Sequence, residues 1–322
     1  MQDTGERSGQ WLKVIPMLVI LVMLVILPIA VRKDYWLHIL IEIGLFGITA
    51  LGLRILMLTG SVSFAQASFM AIGGYTSALL VMKLGMSFWL TLFLVPVFAA
   101  IVGGILGWPA LRLKADYFFL VSFCMGEVIR LFFNFVNKDL FGGPGGLSYI
   151  PAPNPLFNIQ FVSKTSYFYL VLLFLILTLL VSYSISKSRI GTIFSTLKDK
   201  EELSASLGIN IIKYKVIAFG ISCLFAGLAG VLYAHYHTVV TPTCFTNTQS
   251  VNILAYTVVG GLGSFIGPLI GTAFLKIVSE IVRAFGHFEI IFSSIALIVV
   301  VSSLPNGLTS LLSYFKGAKN SR

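Results

Sequence analysis

Glu127 and Arg130 stand inside the apolar run 117–136, "YFFLVSFCMGEVIRLFFNFV". An i, i+3 spacing puts two side chains on one face of a helix, where opposite charges can meet. Charge inside an apolar segment is costly, so it is normally paired or lines a polar pathway. The preferred reading is a mutually satisfied structural pair. The other is contact with the ammonium or carboxylate of a ligand, and Glu127 and Arg130 are site candidates on that ground. A second group lies in "TGSVSFAQASFMAIGGYTSALL" (59–80), where Ser61, Ser63, Gln66 and Ser68 alternate with small residues. Small residues let membrane helices approach closely, which accounts for most of the segment. A buried amide needs partners or water, so Ser63 and Gln66 are expected to line a water-filled path. A third group, "GGLGSFIGPLIG" (260–271), holds Gly261, Ser264 and Gly267. They permit close approach or a broken helix, and broken helices at membrane depth often mark translocation sites.

None of these groups is a catalytic set. No Ser/His/Asp or Cys/His arrangement falls in a plausible soluble site, and no GxxxxGK[ST] phosphate loop occurs, so the chain is not expected to bind ATP in the usual manner. Cys124, Cys223 and Cys244 form no CxxC pair, which argues against a disulfide framework or a zinc site. His235 and His237, at i, i+2, do not share a helix face, which argues against a metal site there.

The elements that must position these residues follow from composition. The chain is 57% hydrophobic and 11% charged, with mean hydropathy +0.95. Soluble domains are about 25% charged, so the solvent of this fold is lipid. The fold class is all-α, a polytopic transmembrane helical bundle of about ten spans at about 20 residues each. The runs are 12–31, 36–58, 62–82, 88–111, 117–136, 166–185, 214–236, 251–263, 267–283 and 288–305. The region 251–283 is too long for one span and carries four glycines and a proline at 260–268, so a break is expected there. Arg7 and Lys13 with the run 14–31 read as an uncleaved first helix. Glu42 and Arg54 are expected near opposite ends of one helix, their side chains reaching the interface.

The net charge of +10 is read as basic residues at span ends, with no nucleic-acid partner. Lys187, Arg189, Lys198, Lys200, Lys213 and Lys215 make the segment 187–215, and with it the loop 186–213, cytoplasmic. Parity then places the loop 137–165 outside and both termini inside; Arg32, Lys33 and Asp34 fall on the disfavoured side. The external loop, rich in Gly and Pro, is either a structural lid or a ligand-contacting segment.

Within 186–213, "KDKEELSASLGIN" (198–210) opens on five consecutive charges. A short amphipathic helix is expected, with Ile193, Leu197, Leu203 and Leu207 apolar and Gly208 ending it. Helices that lie on lipid favour Lys and Arg, whereas Asp199, Glu201 and Glu202 mixed with Lys198 and Lys200 suit a protein partner.

The segment from "SRIGTIFSTLKDKEELSASLGIN" through "AGLAGVLYAHY" resembles the cytoplasmic loop and following helix of bacterial ABC-importer permeases, and more narrowly the LivM-type permeases of branched-chain amino acid uptake. "LTGSVSFAQASFMAIGGYTSALL", "PALRLKADYFFLVSFCMGEVIRL", "GGPGGLSYIP" and "VVGGLGSFIGPLIGTAFL" agree in the same order, covering about 45–308. The resemblance implies a single permease domain over 1–322 with a type II ABC-importer-like fold in the bacterial inner membrane. It implies as partners a second, LivH-type permease subunit, two ATPase subunits of LivG/LivF type that hold the ATP and Mg, and a periplasmic substrate-binding protein. Residues 186–213 would then be the coupling loop, with Asp199, Glu201, Glu202, Ala205, Leu207 and Gly208 in the ATPase contact. The family often has a His where Gln66 stands, and commonly an Ile-Glu-like pair where this chain has Val251-Asn252. The second swap removes a charge and makes Asn252 a path candidate. The expected cargo is branched-chain or other hydrophobic amino acids. Urea or short amides, carried by related permeases, are the alternative. An ion-coupled secondary transporter is a further one, and a membrane enzyme is disfavoured by the missing catalytic set.

Overall fold

The computed structural model describes residues 34–113, 115–155, 161, 163–199, 201–283 and 307–308. The expected spans 12–31 and 288–305, and both termini, lie outside them. Among the described residues eleven α-helices run in order: α1 (Asp34–Met57), α2 (Gln66–Leu84), α3 (Phe88–Ala110), α4 (Ala115–Phe135), α5 (Lys138–Phe141), α6 (Lys164–Lys187), α7 (Arg189–Asp199), α8 (Glu201–Ser206), α9 (Ile211–His237), α10 (Asn247–Gly260) and α11 (Gly267–Arg283). Among the described residues there is no strand, only an isolated antiparallel bridge between Leu147 and Val240.

Six of these described helices, α1, α2, α3, α4, α6 and α9, are long and apolar enough to cross a membrane. At 24 residues, α1 reaches about 36 Å, enough for a hydrocarbon core of about 30 Å. It is apolar on all sides because it is buried on all sides, and with α9 it forms the centre of the bundle. The outer helices α3 and α4 instead turn Phe93, Val97, Ile101, Ile105, Leu120 and Phe132 outward, as lipid or a second membrane subunit requires.

Small residues set the packing around α9. A Cβ on Gly73 of α2 would overlap the backbone of Gly227, and one on Gly230 would overlap Met70. Gly103 and Gly107 of α3 similarly leave room for Cys223 and Phe219. The backbones therefore touch where a larger side chain would separate them.

Two expected boundaries move. The helix expected from 62 begins at Gln66, because 61–65 is non-helical, buried except for half-buried Val62. The Ser63 hydroxyl accepts from the N–H of Ala65 at 3.2 Å, the local competition by which Ser opposes helix. The amphipathic helix expected across 193–207 is two helices, α7 and α8. Phe194 and Leu197 are buried, whereas Leu203 and Leu207 are 51% and 73% exposed.

The break expected at 260–268 is present. α10 ends at Gly260, capped by Gly261 at φ +94°, and α11 starts at Gly267. The two pack as an antiparallel pair so close that a Cβ on Gly271 would overlap the Tyr256 carbonyl. At 14 residues, α10 reaches only about 21 Å and does not cross a bilayer alone.

The segment 137–155 is ordered against the bundle. Leu147 and Val240 exchange both backbone hydrogen bonds at 2.9 Å, and Ile150 N–H donates to the Thr238 carbonyl at 3.0 Å. The Trp89 indole donates to the Asn154 carbonyl at 3.1 Å. Gly146, at φ +67°, lies against the Val240 backbone where no Cβ fits. It covers the end of α9 opposite the 186–213 loop.

Candidate functional site

The N-terminus of α2 lies in the bundle interior, where its first N–H groups have no intrahelical acceptors. Serine hydroxyls from two other helices serve the second helical residue, Ala67, and the turn that leads in, at Phe64. Ser122 of α4 accepts from Phe64 N–H at 3.0 Å, and Ser250 of α10 accepts from Ala67 N–H at 3.0 Å. Ser68 donates to the Gly126 carbonyl at 2.8 Å. Gln66 is fully buried, and its amide donates to Ser222 of α9 at 2.7 Å. Its Oε1 has no partner among the described residues. Ser63 is also fully buried. The polar strip thus joins α2, α4, α9 and α10 at one level.

Glu127 and Arg130 do meet, as a bidentate ion pair on α4 with both side chains partly exposed. A third residue joins them: Asn247, the first residue of α10, donates to Glu127 Oε2 at 3.2 Å. Its Oδ1 is buried with no partner among the described residues and faces Gly126. Asn247 carries no sequence signal beyond following the N-cap Thr246, so it is missed by residue type and spacing. Gly261 is buried at the break and Ser264 is half-buried in it; Asn252 points outward from α10.

The expectation for Glu42 and Arg54 is overturned. Both lie on α1, Arg54 in its last turn, but neither side chain extends outward. Arg54 is 3% exposed, donating from Nε to the Leu262 carbonyl at 3.1 Å and from Nη1 to Ser186 Oγ at 3.2 Å. Glu42 accepts from Lys276 Nζ at 2.9 Å and lies 2.8 Å from His237 Nε2. Both residues are drawn inward because partners distant in sequence compensate their charge. His235 is likewise taken up, lying between Ser77 and the Pro151 carbonyl. Among the described residues no group of three His, Cys, Asp or Glu side chains could hold a metal.

In the 186–213 loop, Glu201 binds Lys215 of α9 at 2.9 and 3.0 Å. Lys215 is buried and Glu201 is half-exposed. Ala205, Leu207 and Gly208 are exposed. The side chains of Asp199 and Glu202 lie outside the described structure. Apolar and charged groups thus share one projecting surface, the composition of a protein-docking patch.

A helical membrane bundle with an interior broken helix, a buried polar strip and a projecting loop is the architecture of a transport subunit. The chain belongs to the branched-chain amino acid transport system / permease component family, whose pattern matches residues 35–304. Over 285 residues it is 32% identical to the high-affinity branched-chain amino acid transport system permease protein LivM of Salmonella typhimurium, covering 81% of this chain and 67% of that protein. The LivM protein of Escherichia coli is equally similar, 32% over 286 residues with the same coverage. The probable branched-chain amino acid transport permease protein LivH of Methanocaldococcus jannaschii is 25% identical over 287 residues, covering 83% of this chain and 89% of that protein. No solved structure matches the chain. The chain is a membrane transport subunit and not an enzyme.

Proposed function

We propose that this chain is the membrane-spanning subunit of an ATP-driven importer for branched-chain or other hydrophobic amino acids. A periplasmic binding protein delivers the ligand. A LivH-type subunit completes the channel, and two LivG/LivF-type ATPases drive it from the cytoplasm, carrying the ATP and Mg. The LivM relatives support the cargo class, and the presence of both a LivM and a LivH relative in Salmonella typhimurium supports a paired channel.

The observation that carries the reading is the α7–α8 loop. It shows exposed Leu203 and Leu207 beside mixed charge, and it is pinned to α9 through Glu201 and Lys215. Lipid would take the leucines but gives no reason for the acidic residues; a groove on an ATPase accounts for both. Arg112, Lys187, Arg189, Lys198 and Lys213 gather at this end of the bundle, which supports a cytoplasmic side. Ser63, Gln66, Glu127, Arg130, Asn252, Gly261 and Ser264 are assigned to the path.

Co-purification tests the reading. The tagged chain should bring an ATPase subunit out of the membrane. Leu207→Asp, and charge reversal at Glu201 and Glu202, should reduce its recovery at least about tenfold, the effect of losing about 1.4 kcal/mol at an interface. Undiminished recovery from both variants would remove the loop from the contact.

A further inference from the structure

We propose that Arg54 is the positioning residue that ties the coupling loop to the helix break at 261–266, so that displacing the loop moves the break. This rests on the importer reading above. Arg54 is 97% buried, yet no carboxylate pairs with it among the described residues. A guanidinium so placed needs compensation. Three helix ends supply it. Arg54 lies in the last turn of α1. Its Nε donates to Leu262, two residues past the end of α10, and its Nη1 donates to Ser186, in the last turn of α6. Each of these is a C-terminal end carrying partial negative charge on unsatisfied carbonyls. The cation therefore holds three helix termini together, and separating any two of them costs a hydrogen bond and part of the charge compensation.

Ser186 is also where the loop departs. Gly191 of α7 packs onto the backbone of Ile185 and Ser186, where a Cβ would overlap it. The far end of α7 rests on the turn after α1: a Cβ on Gly60, at φ +79°, would lie 3.3 Å from Lys198 Cα. That turn leads directly into the non-helical 61–65 and Gln66. Both ends of α7 thus bear on residues flanking Arg54, one through Ser186 and one through Gly60. A rigid α7 displaced by a partner has to shift the Arg54 junction, and Arg54 passes the shift to Leu262 in the break. A lysine keeps the charge but not the fork that reaches two acceptors at once, and a methionine keeps neither.

The test uses the full complex in proteoliposomes, with ATP hydrolysis and leucine import measured in the same vesicles, and hydrogen exchange on the isolated chain. With Arg54→Met, the complex should assemble and hydrolyse ATP while import per ATP falls about tenfold, the scale of one charged hydrogen bond. Arg54→Lys should fall between, and Ser186→Ala should lower the ratio at a temperature where the chain is still fully folded. In the isolated Arg54→Lys chain, exchange should rise together in 186–191 and 258–266 while α3 stays protected. Wild-type import per ATP in Arg54→Lys and Ser186→Ala, or unchanged exchange in both segments, would overturn the proposal. So would a loss in which import and hydrolysis fall in step. If the wild-type complex imports nothing with ATP, the importer reading fails on its own, and the exchange measurement still decides whether Arg54 joins loop to break.

Discussion

Lys215 Nζ lies 2.9 Å from Glu201 Oε1, with the lysine buried and the glutamate half-exposed. The pair fixes α8 to the first turns of α9, one of the two central helices. Removing the carboxylate leaves an ammonium buried without its partner, and part of that penalty is screened because Glu201 faces solvent. Glu201→Gln should destabilise the protein by about 1–2 kcal/mol. The loss should be local: hydrogen exchange should rise in 201–215 and stay unchanged in α3. Uniform exchange changes would contradict the local role.

The Glu127–Arg130 pair separates two readings by a swap. Glu127→Arg with Arg130→Glu preserves an i, i+3 pair on the same face. If the pair only neutralises itself, the swap should recover at least half of the import lost in Glu127→Gln. If Glu127 meets the cargo, or needs Asn247, the swap should stay as inactive as the single variant. Asn247→Ala alone should lower import without unfolding the chain, because it removes one hydrogen bond, to the partly exposed Glu127, while its buried Oδ1 has no partner among the described residues.

At the α2–α9 contact, Gly230→Val puts two methyl groups into the Met70 backbone. Overpacking of this kind costs about 3 kcal/mol, and backbone cannot rotate away as a side chain can. The variant should lose most of its yield as folded protein in detergent. Gly104→Val, where a Cβ meets nothing within 4 Å, should melt as the wild type does.

Gln66→Met tests the interior strip. The substitution removes the 2.7 Å bond to Ser222 but no bond at Oε1, so the stability loss should stay near 1 kcal/mol. A melting-temperature drop corresponding to several times that would mean Oε1 is bound to a group other than the described residues.

What the sequence makes legible follows from the range of the interactions. The long helices are written in runs of apolar residues, and the break at 260–268 in glycine and proline, because both effects are local. The Glu127–Arg130 contact is legible for the same reason, at three residues' separation. Arg54 is misjudged because its acceptors, Ser186 and Leu262, lie 132 and 208 residues away. Nothing near residue 54 signals that three helix ends will meet there. Glu42 fails likewise, its partners His237 and Lys276 being 195 and 234 residues distant. The early start assigned to α2 fails because Ser63 turns its hydroxyl on its own backbone, an outcome the small-residue pattern does not distinguish from helix packing. The split between α7 and α8 is hidden by leucines at helical spacing, two of which, Leu203 and Leu207, are exposed.

The most direct measurement is uptake of labelled leucine into proteoliposomes holding this chain, a LivH-type subunit and the ATPases, with binding protein supplied at the face opposite the α7–α8 loop. Accumulation that requires ATP hydrolysis, persists when ion gradients are collapsed and is lost with Leu207→Asp is the result predicted. Accumulation by the isolated chain on an ion gradient with no ATP would contradict it.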